Sequence, residues 1–187
     1  MRVRRQAHRI MKQRTRANRL FTPLIAVLFA MIQWNRAIAS EEAIPAGHAI
    51  SITIPDGWER RTGVTDPILI AAVERGTGNS LGLLGFKQTD DKFTLNRKSA
   101  EAGILKELGP SGKILRRQDT KLAGMPAYCV TAETRIQGRK ISVARIMAEK
   151  PLNGFVYAVQ YSKMGGGDFD DASIQAIVSR VRVKEQK

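Results

Sequence analysis

The sequence predicts a small α+β domain on an antiparallel sheet of about six to seven strands, carried behind an export leader. Three features predict it. Seven short runs between Ile50 and Ser162 alternate apolar with polar side chains or are apolar throughout, as strands do. Two further segments, one ending at Leu108 and one over Ile174 to Val181, switch to the helical period. Ahead of them, residues 1–39 combine a basic head, an apolar block and small residues at a cut site. The predicted organisation is a signal peptide over 1–39, a polar lead-in over 40–48 and a single α+β domain over 49–187.

In the leader, the basic head Met1 to Arg19 stays on the cytoplasmic side while Leu20 to Ile32 enters the bilayer. That block has 13 residues and contains Pro23, whereas a spanning helix needs about 20 apolar residues, so it reads as a signal rather than a span. Ala37 and Ala39 supply the small side chains a peptidase pocket accepts and predict cleavage after Ala39. Arg36 beside the cut and the length of the head keep an uncleaved inner-membrane anchor as the alternative, and Met11 is a second candidate start. No Cys follows the apolar block to carry a lipid, and Arg4-Arg5 lacks the flanks of a twin-arginine signal.

Beyond the lead-in, Ile50, Ile52 and Ile54 alternate with Ser51 and Thr53, a strand with one buried face, and Pro55-Asp56-Gly57 turns the chain. Apolar runs at Ile68 to Val73 and Leu81 to Phe86 flank a loop at Gly76 to Asn79 and form a hairpin. Over Thr94 to Leu108, Ala102, Leu105 and Leu108 share a helical face, which Gly109-Pro110 ends. Strands follow at Lys113 to Gln118, Ala127 to Arg135, Ile141 to Glu149 and Phe155 to Ser162, with turns at Gln137-Gly138 and Asn153-Gly154. In the last two strands both alternating sets are largely apolar, so both faces are covered. Ile174, Ile177, Val178 and Val181 fall at i, i+3, i+4 and i+7 and predict a closing amphipathic helix.

These elements, with Ile52-Thr53-Ile54-Pro55-Asp56-Gly57-Trp58 at the front, Leu122-Ala123-Gly124-Met125-Pro126-Ala127-Tyr128 in the middle and Ile174 to Val181 at the end, resemble the PsbP-like superfamily. The resemblance implies a sheet flanked by helices on both faces, an α/β/α sandwich, and a role in binding or assembly more than in catalysis. It carries over no functional residue, and Trp58 reads as a turn and core feature.

The formal charge of +14 suggests a nucleic-acid partner until it is divided. Nine of the 31 Lys and Arg lie in residues 1–39, which hold no acid, leaving 22 basic against 17 acidic residues beyond. That remainder is dispersed among acids with few aromatics to stack on bases, which argues against nucleic acid. Arg135, Arg139 and Lys140 flank one predicted turn and form the candidate surface for an envelope protein or another anionic partner. The single cysteine, Cys129, excludes an internal disulfide and, lying in mid-strand, reads as a buried structural thiol.

Catalytic and cofactor motifs are not recognisable. His48 is the one histidine beyond the leader; it sits at the start of the domain with no Gly-x-Ser-x-Gly elbow to partner it, and reads as a solvated strand-edge residue. Asp168, Asp170 and Asp171, after Gly165-Gly166-Gly167, are the candidate metal ligands, but they lack the glycine and glutamate positions of a calcium loop, and Asp170 or Asp171 fits better as a helix cap. Lys163 with the three glycines would suit an anion at a helix start, but the same carboxylates repel it. Gly109-Pro110-Ser111-Gly112-Lys113 fails as a P-loop because Glu107 takes the first glycine position and Ile114 the Ser or Thr.

The sequence therefore predicts an exported, non-enzymatic binding or assembly module of the cell envelope, periplasmic or extracellular and without cofactor. A membrane-anchored scaffold and an enzyme with a carboxylate or metal site assembled by folding are the alternatives. The intact mass of protein recovered from the envelope is expected to correspond to a chain beginning at Ser40; a mass that retains residues 1–39 would establish the anchored alternative.

Overall fold

The computed structural model describes residues 40–88 and 97–184. The leader, with Ala37 and Ala39, and the first residues of the helix expected from Thr94 lie outside them. In chain order the elements are β1 (Glu41–Ala43), β2 (Ile50–Ile54), β3 (Trp58–Arg60), β4 (Ile68–Glu74), β5 (Ser80–Lys87), α1 (Arg97–Leu108), β6 (Lys113–Leu122), β7 (Met125–Ile136), β8 (Arg139–Ala148), β9 (Phe155–Met164), α2 (Asp171–Val178) and β10 (Val181–Val183). They form a seven-stranded sheet in the order β3-β4-β5-β9-β8-β7-β6 and a three-stranded sheet in the order β1-β2-β10, with every pairing antiparallel.

Strands β6 to β9 form a meander because each turn can take the left-handed backbone that a two-residue hairpin needs. Ala123-Gly124, Gln137-Gly138 and Asn153-Gly154 have φ of 51° and 83°, 49° and 77°, and 51° and 76°. Positive φ at both positions matches the twist of the flanking strands. A second meander, β3 to β5, joins the first where β5 pairs with β9 over eight positions, from Ser80 with Ser162 to Lys87 with Phe155.

Alternation along the strands separates two sets of apolar contacts. Ile70, Leu83, Cys129, Ile146, Tyr157 and Val159 pack with Ile50 and Ile52 of β2, Val181 of β10 and Ile174, Ile177 and Val178 of α2. Their neighbours Tyr128, Val130, Ala132 and Val143 pack with Ile104 of α1, and Met147, Val156 and Ala158 pack with Ala100. Ile146 is fully buried in the first set, and Ile146→Ala is expected to cost about 2–5 kcal/mol in denaturant unfolding. Cys129 is fully buried there too, and burial pushes its thiol up to about 12, with Arg116 opposing.

Three expectations need correction. The closing helix stops at Val178: the Ser179 N–H bonds back to Gln175 and Ile177, and Val181 instead pairs with Ile52. The lead-in is not simply polar loop, since Glu41–Ala43 forms β1 and Ala43 is buried. The domain is also richer in sheet than expected, because much of the first core is covered by the three-stranded sheet rather than by helix.

Helix α1 is fastened by charge. Arg97 lies 4.7 Å over the Tyr128 ring and contacts Asp119 at 2.7 Å and Glu149 at 2.6 Å. Glu101 accepts two bonds of 2.9 Å from Arg117 and one of 2.6 Å from the Tyr128 hydroxyl. Those bonds, Arg117 first, hold the Glu101 carboxyl below its usual range, while burial and then Glu101 push the Tyr128 phenol up to about 12. Beneath the helix the buried Arg145 donates from Nε to Gln160 at 2.8 Å and pairs with Glu107.

A carboxyl held low stabilises the fold above the ordinary Glu value of about 4.3 and loses that contribution as pH falls through its depressed value. Glu101→Gln is therefore expected to lower the melting temperature at neutral pH, with the gap from the parent closing as the solution is acidified; a gap independent of pH would refute the linkage. Cys129 is expected to resist a thiol reagent at neutral pH in the native protein and to label at once in denaturant; fast native labelling would contradict its burial.

Candidate functional site

Among the described residues, one recess lies at the end of the sheet where β4, β5 and β9 meet the approach to β2. Its floor begins with a register slip. Ile68 pairs with Leu84 but Ile70 pairs with Leu83, so Leu69 is an extra residue in β4. Leu69 lies flat on Gly85, where a built Cβ would come within 2.7 Å of Leu69 Cδ1, so glycine in mid-strand permits the approach. Gly85 pairs with Tyr157 and Lys87 with Phe155, which brings β9 aromatics to the same place.

His48 closes one wall. Its Nδ1 lies 3.0 Å from the Tyr157 hydroxyl, and its ring stands edge-on to Phe155 with centroids 4.5 Å apart. Tyr157 is fully buried; burial raises its phenol, opposed by the Ala49 backbone N–H that bonds its oxygen. The cleft has a volume of about 530 Å³, with Pro67, Leu69, Phe86 and Phe155 as apolar lining and His48, Asp66 and Lys87 as polar groups. That volume falls in the range of about 300–1,000 Å³ usual for small-molecule sites. The expectation of a solvated His48 is thus overturned, because Tyr157 and Phe155 bring it into the wall of the cleft.

The other candidate residues are dispersed. Asp170 caps α2, accepting from the Ser173 N–H at 2.8 Å, and the Ser173 bonds hold its carboxyl below the usual range. Asp171 pairs with Arg116 at 2.7 Å and Asp168 is exposed. Asp170 is thus the helix cap that the sequence favoured, Asp171 is held by Arg116, and no group of three or more His, Cys, Asp or Glu among the described residues could hold a metal ion. The glycines before them pack on lysines, Gly166 against the Lys140 stem and Gly167 against Lys163.

At the β7–β8 turn Arg135 pairs directly with Lys140, and Ile136 with Arg139. Opposed residues share a face and adjacent ones alternate, so Arg135 and Lys140 lie on one side and Arg139 on the other. Glu133 contacts Lys140 at 2.5 Å. The three cations therefore border one end of the sheet without projecting together.

Sequence reasoning missed Asp66, Leu69 and Lys87 as cleft residues. Gly85 inside an apolar run was the available signal of a close backbone approach.

No family model matches the chain, and no curated protein does. Solved structures do. LpqN of Mycobacterium tuberculosis, described as involved in cell envelope biogenesis, superposes with a TM-score of 0.53 at 17% identity over 79% of this chain and 92% of its own. The cyanobacterial PsbP of Synechocystis gives 0.56 at 12% identity over 79% and 95%. The Ran-binding protein Mog1p of Saccharomyces cerevisiae gives 0.54 at 11% over 77% and 95%. Among the described residues no helix is long and apolar enough to cross a membrane. The sheet order, the two helices and these superpositions establish that the domain has the PsbP-like fold.

Proposed function

We propose that the protein is an exported, non-enzymatic binding or assembly module of the cell envelope. The observation that carries this reading is the state of His48. Its Nδ1 is engaged by Tyr157 and its ring is packed on Phe155, in the wall of an open recess where, among the described residues, no carboxylate or nucleophilic side chain is hydrogen-bonded to it. The signal-like leader supports export, with cleavage after Ala39 releasing the domain to the periplasm or the exterior. LpqN, tied by its description to cell envelope biogenesis, and the Ran-binding Mog1p offer precedents for such roles on this scaffold.

The finer architecture in this reading is an α/β/α sandwich. Ile104 of α1 clusters with Tyr128 and Val130, while Ile174 of α2 clusters with the intervening Cys129, and successive strand residues point to opposite faces. The end of the sheet bearing Arg135, Arg139 and Lys140 is the surface for an envelope protein or anionic polymer. Its attraction would decay over a Debye length of about 8–10 Å at physiological salt.

A photoreactive residue in place of Ile136, which is 53% exposed beside Arg135, tests this role in the native envelope. Discrete adducts are expected, and Arg135→Glu with Arg139→Glu should diminish them at low salt while leaving the melting temperature unchanged. Recovery of the protein in the cytosol alone, or adducts indifferent to both charge reversals, would refute the proposal.

A further inference from the structure

We infer that the His48 cleft binds a small monocarboxylate with an apolar body. This deepens the binding reading above and rests on it. Three observations converge.

The first is that the site is already formed. Leu69 is held flat by the slip in β4 and by the absence of a side chain at Gly85, and His48 is locked by Tyr157 and Phe155. A ligand entering such a site has little ordering left to impose on the protein.

The second is the placement of donors. Lys87 lies directly opposite Phe155 in the ladder, so both side chains leave the sheet on one face, and the His48 ring stands against the same Phe155. An ammonium and an imidazole ring thus flank one aromatic surface. Among the described residues Lys87 forms no ion pair, and Nε2 has no hydrogen-bond partner. An unengaged cation beside an apolar surface suits a carboxylate head on an aliphatic or aromatic body.

The third is the acid in the lining. Asp66 precedes Pro67, whose carbonyl accepts from the Gly85 N–H at 2.9 Å, and is itself one of the residues lining the cleft. It disfavours a second negative charge on the ligand and favours a hydroxyl or amine there. A monocarboxylate is thereby selected over a dicarboxylate or a phosphate.

The test is an NMR titration of the isotopically labelled full chain with 3-phenylpropionate, 3-phenylpropan-1-ol, acetate and the peptide acetyl-Ala-Phe. A probe as small as 3-phenylpropionate is expected to bind with a Kd of about 1 mM and to shift the His48 ring and Gly85 amide signals saturably. The alcohol, which keeps the body and loses the charge, should bind about fivefold more weakly, and Lys87→Met should reduce the acid to the alcohol's level. Lys87 is exposed, so this variant is expected to fold; an unchanged melting temperature checks it.

Equal binding of acid and alcohol, shifts with acetate alone, or no movement of His48 and Gly85 at about 10 mM probe would overturn the inference. A peptide that binds far more tightly than the free acid would overturn it in favour of a protein terminus. Envelope adducts without probe binding would sink this inference alone, whereas chemical turnover of a probe would sink the non-enzymatic reading on which it rests.

Discussion

Two meanders that could each form locally become one sheet only where β5 meets β9. That ladder joins residues about 75 apart in sequence, and its closure entropy must be met by contacts the meanders do not make alone. Leu83 and Val159, directly opposed and fully buried, supply part of the return, and Gly82 opposite Gln160 lets the strands pair without crowding the other face. The cleft then follows from this seam. It sets Gly85 against Tyr157 and Lys87 against Phe155, so the floor and a donor of the cleft exist only in the joined sheet.

The same seam explains what the sequence could and could not disclose. Period-two patterning exposed the hairpin β4–β5 and the meander β6 to β9, because seven or more residues give alternation room to appear. Strands β1, β3 and β10 have three residues each, too few to display a period. Val181 was misread because it continues the helical spacing of Ile174, while the deciding force was non-local: β2 offered it an unpaired edge. His48 was misread for a similar reason. Its partner Tyr157 stands 109 residues away, and nothing local distinguishes an imidazole in water from one against a buried phenol. The slip at Leu69 belongs to a pairing register, which no single strand carries.

The sheet edges direct where a partner can approach. β6, at one end, carries Lys113, Arg116, Arg117, Asp119 and Lys121, all exposed, and β3, at the other, has only three residues. Charged and short edges are how sheet proteins avoid strand addition by another chain. Strand capture along these edges is therefore disfavoured, and faces, turns and recesses remain as the means of recognition. Arg145 reinforces the point from within. Its buried guanidinium, satisfied by Gln160 of β9 and Glu107 of α1, penalises any shift of the helix that would strand the charge. The face beneath α1 is thereby fixed rather than available for repacking.

A consequence concerns how occupancy of the cleft would be felt. The hydrogen bond between the Tyr157 hydroxyl and His48 Nδ1 ties the wall of the recess to β9, and β9 is the strand through which the two meanders are joined. Separating β5 from β9 would dismantle the cleft, since Gly85 and Phe155 would part and His48 would lose the surface it packs on. A ligand of the cleft thus binds the joined sheet and not the parted one, and by mass action it must stabilise that joint by RT ln(1 + [L]/Kd). The recess and the least local pairing of the seven-stranded sheet are one thermodynamic unit, so a module of this design would report a bound ligand as resistance of its own seam to opening.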